Sequence, residues 1–196
     1  MTVLLDSFSG IQEQRFILPN IKWQQYESLL ATLGDYHGLR FVYLEGTLEI
    51  FMPSPEHELL KKAIARLLER YAEEMGILLH GYGSTTFRRE ALGRGLEPDE
   101  CYCIGQFKDF PDFAIEVNLT SGGVDKLAVY QGLGIPEVLI WQSDRLTLYD
   151  LRGTTYREST NSQFFPDLDW QLFAQYIRPQ AQPQAIQEFL KVLRSL

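Results

Sequence analysis

Two carboxylates and one lysine carry the clearest chemical signal in this chain. Asp99 lies in Glu97-Pro98-Asp99-Glu100, at the head of an expected strand over 97–104. Glu116 lies inside PDFAIEV, on the next expected strand over 112–119. Side chains alternate across a strand, so Phe113, Ile115 and Val117 share one face, and Asp112, Ala114, Glu116 and Asn118 the other. Glu116 therefore sits mid-strand among aliphatic neighbours, where an unpaired charge is expensive to bury. Cross-strand Cβ separations are about 5 Å, so Asp99 and Glu116 on neighbouring strands would present two hard oxygen ligands together. That pair suits a Mg²⁺ ion that keeps several waters and takes the rest of its shell from a phosphate. Lys126 follows Glu116 by ten residues, on a helix that packs back across the sheet. There it would orient or deprotonate an attacking water and balance developing negative charge. The same spacing also suits a structural Glu116–Lys126 ion pair, with Asp99 simply beginning a strand.

These three residues need a frame. DFAIEVNL, the helical stretch DKLAVYQGLG after Gly122-Gly123, and the apolar run EVLIWQ at 137–142 read as strand, helix, strand. Such a crossover implies parallel strands, with its helix over about 123–133 packed on one face of the sheet. PEHELLKKAIARLLERYAEEM, residues 55–75, is the clearest helix. Leu59, Leu60, Ile64, Leu67, Leu68 and Tyr71 form its apolar stripe, Ser54 is a candidate N-cap and Pro55 suits the first turn. LRFVYLEGTLEIFM reads as a β-hairpin around Glu45-Gly46. Residues 1–20 read as an N-terminal arm, and Asn20 as the cap of a helix over 21–33. LTLYDL and TYRE read as further strands, and 169–177 and 182–195 as C-terminal helices. The expected architecture is α/β, a mixed β-sheet flanked by helices, with an N-terminal β-hairpin and C-terminal helices in a single domain over 21–196.

Composition narrows the function further. The 196 residues are 45% hydrophobic and 22% charged, enough for a buried core without disulfide or metal staples. A formal charge of −8 excludes a strongly basic nucleic-acid coat, so phosphate chemistry must come from a local site. No apolar run exceeds four residues, so no membrane helix is expected, and MTVLLDSFSG lacks the pattern of a secretory leader. Cys101 and Cys103 read as reduced structural thiols of a cytoplasmic protein. Phosphate-binding loops, dinucleotide fingerprints, nucleophile elbows and HExxH pairs are missing.

At these residues the chain resembles the Uma2 family, a bacterial group expanded in cyanobacteria. Its members are described as restriction-endonuclease-like proteins of the PD-(D/E)xK superfamily. FVYLEGTLEIFMPSPEHELLKKAIARLL is similar to the family's hairpin and Ser-Pro-x-His helix. EPDECYCI, PDFAIEV and DKLAVYQGLGIPEVLIW are similar to its later strand and helix–strand segments. The resemblance implies that Asp99 and Glu116 are the acidic motif residues. The motif lysine is absent, because position 118 is Asn, and Lys126 stands where the family is thought to have moved it. His57 matches a family histidine that would contact phosphate or support the site, and Glu45 matches an acidic hairpin position.

Together these readings lead to a metal-dependent endonuclease acting on DNA. Asp99, Glu116 and the backbone carbonyl of Val117 would hold Mg²⁺ (or Mn²⁺), and Lys126 would activate water. Lys108, Arg88 and His57 are the next candidates for that last role. The alternative is a non-catalytic nucleic-acid or protein interaction module that keeps the fold. The apolar residues Ile186, Phe189, Leu190, Val192, Leu193 and Leu196 of the last helix suggest a homodimer.

Overall fold

The structure, a computed structural model, describes residues 13–34, 36 and 38–195. It contains two sheets where one was expected. The first is antiparallel throughout, with strand order β1-β3-β2-β6-β5: β1 Gln14–Leu18, β2 Arg40–Leu44, β3 Thr47–Met52, β5 Phe87–Arg89 and β6 Arg94–Leu96. The second is mixed, with order β11-β10-β9-β8-β7-β4: β4 Leu79–Gly81, β7 Glu100–Ile104, β8 Phe113–Asn118, β9 Glu137–Gln142, β10 Arg145–Arg152 and β11 Thr155–Ser159. β8 and β9 are its one parallel pair, joined through α3, Lys126–Leu133, as the crossover pattern required.

The hairpin between β2 and β3 turns at Glu45 and Gly46, both at positive φ (47° and 92°). Gly takes that conformation freely, and two such residues match the twist of the flanking strands. Helix α2, Pro55–Met75, spans the expected residues, and the Ser54 side chain accepts from the His57 backbone N–H at 3.2 Å. Helix α1 begins at Trp23 and ends at Leu33 with Lys22 as its N-cap, so the assignment of the cap to Asn20 is corrected. Asn20 instead takes a left-handed turn between β1 and α1 (φ 61°). Within the stretch read as an N-terminal arm, residues 14–18 pair with β3, and residues 1–12 lie outside the described residues. The expected 97–104 strand starts only at Glu100, because Glu97–Asp99 carries the chain from the first sheet to the second.

β8 is buried on both faces. Phe113, Ile115 and Val117 pack with α2 and with Phe165, Trp170, Phe173 and Phe189 of the C-terminal region. Ala114 packs with Val138 and Ile140 of β9, with Val129, Tyr130 and Leu133 of α3, and with Val42 and Leu96 of the first sheet. Helices α4, Trp170–Gln175, and α5, Gln182–Leu193, close the first of these cores. Ile186, Phe189 and Leu190 of α5 are buried there, while Val192 and Leu193 are half-buried. The described part of the apolar stripe read as a dimer surface is thus largely used within the chain; Leu196 lies outside the described residues. Both cysteines are free and buried, and no helix among the described residues is long and apolar enough to cross a membrane.

Candidate active site

Glu116 lies on the face of β8 that meets α3 and the first sheet, with none of its surface exposed. Lys126 and Tyr130 are four residues apart and share one face of α3, and both reach it. Lys126 Nζ stands 2.5 Å from Glu116 Oε2, and the Tyr130 hydroxyl donates to Oε1. Burial pushes the Glu116 carboxyl up to about 7; Lys126 opposes the rise and the Asp99 charge adds to it. Burial works against the Lys126 ammonium, but the carboxylates of Glu116, Asp99 and Glu49 outweigh it and hold the amine above its usual range. Lys126 is thus a held cation.

Asp99 sits in the link between the sheets, just before β7. Its Oδ2 accepts the backbone N–H of Val117 at 2.8 Å, and its Oδ1 lies 2.9 Å from His57 Nε2. The other ring nitrogen of His57 is 2.9 Å from Glu13 Oε1, and Glu13 Oε2 accepts from the Thr120 hydroxyl at 2.9 Å. Ionised carboxylates only accept hydrogen bonds, so a ring held between two of them donates from both nitrogens as an imidazolium. Burial disfavours that charge, but Asp99 and Glu13 raise the His57 pKa to about 9. Burial likewise opposes ionisation of Asp99, yet His57, Lys126 and the Val117 N–H hold its carboxyl well below the usual range. His57 reaches this position from the first turn of α2, packed on Phe51 with ring centroids 5.4 Å apart.

The four residues singled out from the sequence therefore gather at the seam between the two sheets as two linked pairs, Glu116–Lys126 and Asp99–His57. The expectation of a water-accessible cleft is corrected. Asp99 is 3% exposed and the Lys126 side chain 10%, because the link, α3 and the side chains of Glu13 and Arg15 enclose them. Glu45 is not part of the site; its exposed side chain pairs with Arg94 at 2.9 Å. Lys108 bonds Asp112 at the far end of β8, and Arg88 faces Glu27 at 3.8 Å. Three participants escaped the sequence reading. Tyr130 had a signal, its four-residue spacing from Lys126. Glu49 had a weaker one, as a charge in register with Phe51 on a strand. Glu13 had none, since it reaches the site only through the pairing of β1.

Among the described residues, no three His, Cys, Asp or Glu side chains are grouped as an assembled metal site requires. The donors nevertheless fit a hard divalent cation in kind: two carboxylates and the Val117 carbonyl. N–H and C=O of one strand residue point to the same edge. The Val117 carbonyl thus faces the Asp99 side, past the last β7–β8 pair at Glu100–Ile115.

A family model, Uma2, described as "Putative restriction endonuclease", matches residues 23–177. The chain belongs to the Uma2 family. No curated protein matches it. The Uma2 match spans His57, Asp99, Glu116, Lys126 and Tyr130 but not Glu13 or Arg15, and the family's description supports a nuclease-like function.

Proposed function

We propose that this Uma2 chain is a metal-dependent endonuclease that hydrolyses phosphodiester bonds in DNA. The observation that carries the reading is the meeting of Asp99, Glu116 and Lys126 at one buried polar centre, which strand and helix packing alone does not require. Asp99, Glu116 and the Val117 carbonyl would hold Mg²⁺ or Mn²⁺, and the bound ion would acidify water and neutralise phosphate charge. Lys126, held as a cation, orients the attacking water and stabilises charge gathering on the phosphorus-bound oxygens. His57 orients Asp99 and balances its charge, and Tyr130 holds Glu116 in place.

Cutting both strands of a duplex calls for two such sites, which a homodimer supplies. Light scattering giving a mass near 22.6 kDa at micromolar concentration would refute that part.

The test is Mg²⁺ or Mn²⁺ calorimetry on wild type and Glu116→Ala, alongside nicking of supercoiled plasmid with and without chelator. Binding and nicking by wild type alone are expected; no binding by either protein overturns the reading. One observation favours a second reading, a non-catalytic interaction module. Every carboxylate oxygen of Asp99 and Glu116 already has a protein donor. Plasmid retention without nicking at any divalent concentration would select it.

A further inference from the structure

Glu49 of β3 takes no part in the reaction just described, yet it is completely buried. A buried carboxylate needs partners. Its Oε2 accepts the backbone N–H of Val124 at 2.6 Å. Its Oε1 has no hydrogen-bond donor among the described residues and faces Arg15 Nη1 at 3.5 Å. Val124 belongs to the loop from β8 to α3, two residues before Lys126. Gly123 lies directly against the same pair: a Cβ there would collide with Arg15 Nη1 and stand 2.7 Å from Glu49 Oε2. Further along the same face of β3, Phe51 carries Lys126 Nζ 5.7 Å above its ring. One strand thus meets the start of α3 at the backbone of 123, the N–H of 124 and the ammonium of 126.

We propose that Glu49 is a positioning residue for Lys126: by clamping the Gly123–Val124 backbone onto β3, it sets where α3 begins and where the ammonium stands relative to Glu116 and Asp99. The inference rests on the nuclease reading of this site and adds to it the group that holds its lysine in register. Glu49 acts through the loop and touches no reacting atom. Misplacing a reacting group by about 1 Å costs on the order of 100-fold in rate, so the clamp is read kinetically.

The experiment compares full-length Glu49→Ala, Glu49→Gln and Gly123→Ala, with Glu45→Gln as a surface control. Three quantities are measured: the single-turnover rate of Mg²⁺-dependent plasmid nicking, Mg²⁺ affinity by calorimetry, and the rate of reductive methylation of Lys126 by mass spectrometry. Glu49→Ala and Gly123→Ala are expected to lose about 100-fold in rate with unchanged Mg²⁺ affinity and faster methylation of Lys126. Glu49→Gln, whose side-chain carbonyl still accepts from Val124, should recover most of the rate. Loss of Mg²⁺ affinity in Glu49→Ala and Glu49→Gln alike would make Glu49 a metal ligand and overturn the positioning role. Unchanged methylation in folded Glu49→Ala and Gly123→Ala would overturn it too. If wild type nicks no plasmid, the nuclease reading fails separately, and the methylation rates still decide what holds Lys126. If circular dichroism shows Glu49→Ala unfolded, Gly123→Ala against Glu49→Gln carries the same comparison.

Discussion

His57 carries its charge because two carboxylates face it, and that makes stability depend on pH in a defined direction. Its folded pKa of about 9 lies above the ordinary 6.5, so the stabilisation is complete below pH 6.5 and is lost as pH rises to about 9. Asp99 titrates low, so its part of the same interaction is present above about 3.8 and is lost as pH falls toward its depressed folded value. From 6.5 to about 9 the difference amounts to on the order of 3 kcal/mol. In urea titrations with EDTA present, the stability gap between wild type and His57→Gln should narrow as pH is raised from 6 to about 9.5; a gap independent of pH would refute the imidazolium.

Tyr130→Phe makes a second test at this scale. It leaves a buried oxygen of Glu116 without its donor, at a cost of about 1–3 kcal/mol. It also removes a hydrogen bond that lowers the Glu116 carboxyl, so that group should titrate higher still. Because a metal ion competes with the proton, Mg²⁺ affinity near neutral pH should fall and recover at higher pH. Calorimetry at the two pH values checks both parts. Glu116 was legible in the sequence because a charge mid-strand among aliphatics requires a partner, and Lys126 was the cation the crossover helix brought back. Glu13 was not, and Glu49 only weakly, because each meets the site through the first sheet, whose placement no local pattern encodes.

At the scale of elements, those with strong local signals came out with the expected boundaries. Helix α2 has a cap, a first-turn proline and a continuous stripe, and β9 is an apolar run bounded by Pro136 and a turn. β1 had no such signal: its residues are largely exposed, and its partner β3 lies some thirty residues on. The expected 97–104 strand ran too long because Pro98 and Asp99 resemble a strand opening while serving as the link between sheets. Capping makes the element argument testable. The Asp125 side chain accepts from Ala128 N at 3.2 Å and so fixes the first turn of α3, which bears Lys126. Asp125→Ala should lower stability by about 1 kcal/mol and slow nicking out of proportion to that loss, read as a small shift in melting midpoint beside a larger drop in single-turnover rate.

For the whole molecule, charge balance at the seam predicts what chelation does. Asp99 and Glu116 are matched by His57 and Lys126 within the protein, so the fold does not depend on a divalent ion, unlike domains whose metal holds them together. EDTA should abolish nicking and leave the thermal melting curve in place; a collapse of the melt would make the ion structural.

The wiring of the seam also sets a timetable. The hairpins of both sheets join neighbours in sequence, whereas His57 meets Asp99 across 42 residues, Val124 meets Glu49 across 75 and Thr120 meets Glu13 across 107. Contacts between distant parts of a chain form late, after closure entropy has been overcome. In stopped-flow refolding, the far-ultraviolet signal of the helices and hairpins should therefore precede protection of Lys126 from methylation. A chain caught partway through folding would hold helices and hairpins with the seam between the sheets still open, so the candidate site is among the last parts of the molecule to assemble.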